Sequence, residues 1–200
     1  MQQTVRAIGA NIGIALDGDG DRVLMVDEDG ELLDGDQLLY ILALDLKANN
    51  KLRGPVVGTI MSNMGLELAL KDQGILFERS KVGDRHVLEM LREHEGNLGG
   101  ETSGHMLCMD HAETGDGLIT ALQILSVMTR TGKSLKELTK NFKKFPQITE
   151  NINLNGKSKF KYSPEIDTAV KDTEKQLIGN GRVIIRPSGT EPLIRITVEG

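Results

Sequence analysis

Residues 13–26 read GIALDGDGDRVLMV. Two apolar runs enclose Asp17, Asp19 and Asp21, which are separated only by Gly18 and Gly20. Unit charges about 4 Å apart repel by about 1 kcal/mol in water and about 4 kcal/mol at an effective dielectric near 20, so three converging carboxylates require a cation. Hard oxygen ligands select Mg2+ or Ca2+ over softer metals, and the glycines let the backbone wind around the ion. An EF-hand loop is the rival motif. Glu28 stands at its twelfth position counted from Asp17, but Arg22 occupies the sixth, where glycine is needed, and the flanks read as strands rather than helices. A solvated Asp-Gly turn is the plainer alternative, which the spacing leaves open. Three carboxylates leave an ion's coordination unfinished and free to take a phosphoryl oxygen, while Arg22 beside them can meet the other oxygens of the phosphate.

Outward from this loop, IGIAL (12–16) and VLMV (23–26) read as buried strands. The stretch ELLDGDQLLYILALDLKANN (31–50) starts as a turn and continues as an apolar helix. PVVGTIM (55–61) is strand-like, GLELALKDQG (65–74) helical with a glycine stop, and ILFERSKVG (75–83) extended. RHVLEMLREHEG (85–96) makes a helix, NLGGETSGHMLCMD (97–110) a strand-loop-strand, and GLITALQILSVMTRTG (117–132) a strongly apolar helix. This alternation predicts a mixed or parallel α/β sheet with its loops gathered at one end. From about residue 150 the pattern changes to short strands, a helix near PEIDTAVKDTEKQLIG (164–179), and two final strands at 182–186 and 193–200, with NGKSKFKYSP (155–164) as a loop. The fold class expected is α/β, a mixed-sheet domain followed by a smaller α+β domain.

Composition narrows the function classes. Apolar residues make up 38% and charged residues 26%, with a net charge of −5, which is the profile of an ordinary globular chain. No run approaches ~18 apolar residues and MQQTVRAIGANIG lacks an export signal, so neither a membrane nor secretion is expected. Cys108 is the only cysteine, which rules out an internal disulfide or thiolate cage and suits the cytoplasm. No basic stripe with interleaved aromatics points to nucleic acid.

Two other stretches favour a phosphorylated ligand. In RVIIRPSGTEPLIRI (182–196), Pro187 and Pro192 stiffen a loop of Ser188, Gly189 and Thr190, whose hydroxyls and N–H groups can form an anion nest between Arg186 and Arg195. In the exit strand Ile194, Ile196 and Val198 alternate with Arg195, Thr197 and Glu199, so Arg195 belongs to the polar face and is free to reach the loop. A hairpin turn with surface arginines is the competing reading. In GGETSGH (99–105), an extended chain with Glu101, Ser103 and His105 exposed would let Glu101 and Ser103 hold neighbouring sugar hydroxyls; a polar loop without a ligand reads equally well. Asp84 in KVGDR (81–85) and Asp116 in TGDGL (114–118) are most simply helix N-caps, whereas Lys81 can serve a phosphate or hydroxyl. His86, His94 and His111 have no metal-ligand spacing.

Together, IALDGDGDR, GTIMSNMGLELAL, KVGDR, GGETSGH, TGDGL, FPQI and RPSGTEPLIRI resemble, in order and spacing, the α-D-phosphohexomutase family along essentially all 200 residues. The resemblance implies a Mg2+-dependent enzyme interconverting glucosamine 6-phosphate and glucosamine 1-phosphate. It implies Mg2+ on Asp17, Asp19 and Asp21, sugar hydroxyls on Glu101 and Ser103, and the non-transferred phosphate on Arg186, Ser188, Gly189, Thr190 and Arg195, with Arg22 and Lys81 assisting. Residues 1–33 would close the family's second domain and carry the metal loop, 34–145 would form the third, and 146–200 an incomplete fourth. The family's phosphoserine lies in a Ser-His-Asn loop upstream of the metal loop, and no such run occurs here; Ser62 with Asn63 lies downstream. The expectation is the C-terminal portion of a mutase, which binds a phosphosugar without turning over alone and has missing N-terminal domains or further copies of itself as partners. A standalone phosphosugar-binding module, or a relative acting on glucose or mannose phosphates, remains the alternative.

Overall fold

The computed structural model describes residues 1–154, 162–178, 181–188 and 191–200. The chain divides into two compact units, Met1–Lys143 and Lys144–Gly200. In the first, helix α1 (Gln2–Ile8) precedes strands β1 (Gly13–Leu16), β2 (Val23–Val26) and β3 (Leu32–Leu33), which pair in that order as an antiparallel sheet. There follow α2 (Gly35–Ala48), β4 (Val56–Thr59), α3 (Met64–Asp72), β5 (Phe77–Ser80), α4 (Asp84–Glu93), β6 (Leu98–Gly100), β7 (Met106–Cys108), α5 (Gly117–Thr131) and α6 (Leu135–Thr139). Their sheet runs β5-β4-β6-β7, with β4 parallel to β5 and β6, and β7 antiparallel to β6. From β4 the chain leaves toward β5, and from β6 toward β7. The carboxyl ends of β4 and β6 therefore flank a switch point, the place where open α/β sheets form a crevice.

Helix α2 is the centre of the core. Leu38, Leu39, Tyr40, Ile41, Leu42 and Ala43 are all buried, so the helix is apolar on every side because it is covered on every side. Each such Leu or Ile contributes about 1.5–3 kcal/mol by leaving water. The helix starts where it does because Asp34 caps it: its side chain accepts from the N–H groups of Asp36 and Gln37, while Gln37 returns a bond to the Asp34 N–H. Asp116 caps α5 as expected, accepting from the Ile119 N–H at 2.8 Å. Asp84 does not cap α4. Gly83 holds that position, and Asp84 sits in the first turn, where its charge meets the helix dipole.

Strand β1 also departs from expectation, since Ile14 and Leu16 are 41% and 45% exposed. It is an edge strand, paired on one side only, and among the described residues its outer face is left to solvent. Helix α1 has no counterpart in the sequence reading. It is tethered by polar contacts, with Arg6 Nε donating to the Asp29 carbonyl at 2.6 Å and Gln2 to the Gly30 carbonyl at 2.8 Å.

The second unit contains β8 (Gln147–Asn153), α7 (Pro164–Gln176), β9 (Arg182–Pro187) and β10 (Leu193–Glu199), with an antiparallel sheet in the order β8-β10-β9. Ser163 caps α7 and Pro164 opens it; the rest of the loop read at 155–164 lies mostly outside the described residues. The polar face of β10 is not simply an exposed one. Thr197 and Glu199 are buried, the latter held by Arg182 at 2.6 Å, and Thr197 shares a hydrogen bond with Thr149 at 2.9 Å. No helix among the described residues is long and apolar enough to cross a membrane.

Candidate functional site

Asp17, Asp19 and Asp21 lie on the loop joining β1 to β2, and one carboxylate oxygen from each falls within 4.8 Å of the others. Gly20 turns the loop at φ 75°, a state that side-chain-bearing residues rarely adopt. Asp17 Oδ1 accepts from the N–H groups of Gly20 and Arg22 at 3.1 and 3.2 Å. Desolvation works against its charge, but those N–H groups, the adjoining Asp21 and the Arg22 guanidinium together hold the Asp17 carboxyl below the usual carboxylate range. Asp21 Oδ1 is buried and finds no hydrogen-bond partner among the described residues. An orphaned carboxylate oxygen beside two further carboxylates is what a hard divalent cation satisfies, so the residues present fit Mg2+. Arg22 stays half-exposed, its Nε 3.8 Å from Asp17 Oδ2.

The other motifs of this unit converge on the same loop. The Val23 N–H donates to the Gly104 carbonyl at 3.1 Å, Arg22 and His105 form an isolated antiparallel bridge, and the Gly117 N–H donates to the Gly20 carbonyl at 2.8 Å. Residues 101–105 form a turn rather than an extended run, closed by the Gly104 N–H on the Glu101 carbonyl at 3.0 Å. Alternation therefore does not relate Glu101 to Ser103; the turn does, with Glu101 partly buried and Ser103 exposed. Glu101 Oε1 accepts from the Gly83 N–H at 3.0 Å, which ties this turn to the KVGDR loop. Lys81 in that loop is exposed. His105 is 5% exposed, contrary to the sequence reading, because it pairs behind the acidic loop with Nε2 3.6 Å from Asp21 Oδ2.

In the second unit, Arg186 and Arg195 are register partners on β9 and β10, so two guanidinium side chains emerge side by side on one face. The Nε atom of each is buried without a hydrogen-bond partner among the described residues. Arg195 Nη2 reaches Glu191 at 3.1 Å, and Ser188 Oγ accepts from the Glu191 N–H at 3.3 Å. Two adjacent like charges with unused donors make a chemically apt seat for an anion. Gly189 and Thr190 lie outside the described residues.

Sequence reasoning missed Asp36, a fully buried carboxylate at the start of α2, whose DGDQ context reads only as a helix start. It also missed the role of His105 and Gly117, whose partners lie 83 and 97 residues away. A groove of about 740 Å³ between α2 and α5, lined by Leu42, Leu46, Leu122 and Arg130 among others, contains none of the motif residues.

Comparison with known proteins finds relatives of this chain. The family described as phosphoglucomutase/phosphomannomutase, alpha/beta/alpha domain III, matches residues 34–145, and the phosphoglucomutase/phosphomannomutase C-terminal domain matches residues 128–200. Over all 200 residues the chain is 54% identical to phosphoglucosamine mutase of Legionella pneumophila (strain Lens) and 50% identical to phosphoglucosamine mutase 1 of Shewanella amazonensis. It spans 44% and 45% of those proteins, less than half their length. A phosphoglucomutase/phosphomannomutase family protein of Burkholderia thailandensis has the same fold, with a TM-score of 0.77 at 24% identity over 99% of this chain and 44% of that one. Aspergillus fumigatus N-acetylphosphoglucosamine mutase, solved in complex with GlcNAc-6P and magnesium, gives 0.74 at 22% identity over 94% and 48%. The domain III match alone takes in more than half the residues, and the chain belongs to the phosphoglucomutase/phosphomannomutase family of α-D-phosphohexomutases.

Proposed function

We propose that this chain carries the metal-binding and phosphosugar-binding determinants of a phosphoglucosamine mutase, which interconverts glucosamine 6-phosphate and glucosamine 1-phosphate by phosphoryl transfer in the cytoplasm. The observation that carries the proposal is the direct joining of the acidic loop to the 101–105 turn through Val23 and Gly104. Asp17, Asp19 and Asp21 would hold Mg2+, which when bound neutralises charge on a phosphoryl oxygen. Arg22, half-exposed beside them, adds a second positive group at the transferring phosphate. Glu101 and Ser103 accept from and donate to sugar hydroxyls, and Lys81 assists from the neighbouring loop. Arg186 and Arg195, with Ser188, Gly189 and Thr190, hold the phosphate that is not transferred; the unused Nε donors of both arginines support this role. Binding of the metal and of the phosphosugar is the part of that activity proposed for these 200 residues.

Calorimetric titration with glucosamine 6-phosphate tests this reading. Replacing Arg195 by alanine removes charge-assisted hydrogen bonds and should weaken binding on the order of tenfold to a hundredfold. Equal affinity in the two proteins would exclude the arginine pair as the phosphate seat.

A further inference from the structure

The turn that carries Glu101 and Ser103 is held by a residue with no part in the motif. Its middle residue, Thr102, is gripped by consecutive residues of α2: the Gly35 N–H donates to the Thr102 carbonyl at 3.0 Å, and Asp36 Oδ2 accepts from the Thr102 hydroxyl at 3.0 Å. The same Asp36 oxygen accepts from the Asn63 N–H at 2.7 Å. Asn63 is the N-cap of α3 just beyond β4, and Thr102 lies just beyond β6, so Asp36 bridges the two strand ends that flank the sheet's switch point. The fit leaves no slack, since a Cβ at Gly35 would overlap the Glu101 carbonyl oxygen and crowd the Gly104 nitrogen. Asp34 already caps α2, so the helix has no need of a second buried carboxylate, and an unneeded one is costly. On its outer side the turn meets the Gly83 N–H through Glu101 Oε1, and the Val23 N–H through the Gly104 carbonyl.

We infer that Asp36 is the positioning residue of the 101–105 turn: by holding Thr102 against α2 and α3 it sets the placement of Glu101 and Ser103 on either side. The inference rests on the reading of those two side chains as sugar contacts. It assigns Asp36 no contact with substrate or metal. Asp36 reaches the turn's side chains through Thr102, while its bond from the Asn63 N–H anchors it to α3, so Thr102→Val should cost no more than Asp36→Ala.

The test compares the 200-residue chain with Asp36→Ala, Asp36→Asn, Thr102→Val and the Asp36→Ala/Thr102→Val pair. Two readouts are used: amide hydrogen exchange, and affinity for glucosamine 6-phosphate with inorganic phosphate as the comparison. In Asp36→Ala, exchange at Gly83, Gly104 and Val23 should speed on the order of tenfold while Ala121 and Ile124 in α5 keep their rates. Glucosamine 6-phosphate affinity should fall on the order of tenfold with inorganic phosphate affinity unchanged. Asp36→Asn, which keeps an oxygen acceptor, should recover most of both, and the double variant should be no worse than Asp36→Ala. Uniform acceleration throughout the first unit, additive losses in the pair, or an asparagine variant as poor as alanine would overturn the inference. Thr102→Val cuts the same link at a half-buried position and decides the matter if Asp36→Ala does not fold. If the unaltered chain does not bind glucosamine 6-phosphate, the proposed function fails, and the exchange pattern alone judges the role of Asp36.

Discussion

Replacing Asp36 by asparagine should remove a specific part of the pH dependence of stability in the first unit. Burial raises the Asp36 carboxyl from 3.8 to about 6; the nearby Asp34 charge adds to the effect and the Asn63 N–H opposes it. A carboxyl whose folded pKa exceeds its unfolded value binds its proton more tightly in the native state. Its contribution is therefore complete below pH 3.8 and is lost as pH rises through about 6. At about 1.4 kcal/mol per pH unit, the gap corresponds to about 3 kcal/mol. Asparagine mimics the protonated form in shape and cannot ionise, so its stability should not carry that loss. The two units need not unfold together, so the probe must be local. Tyr40, buried and packed edge-on against Phe142 at 5.5 Å, reports on the first unit, and replacing Tyr162 by Phe makes it the sole tyrosine. Urea unfolding is then followed by tyrosine fluorescence at several pH values with and without Asp36→Asn. The stability of the aspartate protein relative to the asparagine protein should fall by about 2.5 kcal/mol between pH 4 and 7. A difference that stays flat within about 0.5 kcal/mol, or rises with pH, would refute the reasoning.

Other perturbations separate the parts of the structure. Arg182→Ala removes the guanidinium 2.6 Å from the fully buried Glu199 carboxylate and should destabilise the second unit by about 3–5 kcal/mol, seen as faster amide exchange along β10. Gly35→Ala drives a Cβ into the backbone of the 101–105 turn; a loss of about 1–3 kcal/mol by urea unfolding is expected, with weaker glucosamine 6-phosphate binding. Asp116→Ala removes the N-cap of α5 and should cost about 1 kcal/mol by the same unfolding assay. Mg2+ at about 100 times its dissociation constant should stabilise the first unit by about 2.7 kcal/mol, and the Asp17→Asn/Asp19→Asn pair should abolish that gain.

Local chemistry made much of the fold legible. Apolar periodicity marked α2, α5 and the parallel strands because each buries a face that its own sequence must supply, and Asp116 announced its helix through capping. The convergence of Asp17, Asp19 and Asp21 was legible because alternate residues of so short a turn are brought close together. What the sequence hid depends on distant partners. His105 looks like an exposed loop histidine until the strand pairing sets it behind Asp21, and Asp36 looks like a second helix-start aspartate until β4 and β6 bring Asn63 and Thr102 to it. Alternation misled at Glu101 and Ser103, where the chain turns, and it was silent on the burial of Thr197 and Glu199. Apolar residues misled at β1, since an edge strand can leave Ile14 and Leu16 in solvent.

The proposed function stands or falls on whether Mg2+ engages the acidic loop and a sugar phosphate the 101–105 turn joined to it, with the arginine pair of the second unit a phosphate seat in its own right. A backbone-resolved NMR titration of the chain, first with Mg2+ and then with glucosamine 6-phosphate, reads all three. Mg2+ should shift the amides of residues 17–22, and the sugar phosphate should then shift those of 101–105 in the first unit; Arg186, Ser188 and Arg195 report separately on phosphate in the second. Shifts confined to the groove between α2 and α5, or a sugar phosphate that leaves residues 101–105 unmoved, would contradict it.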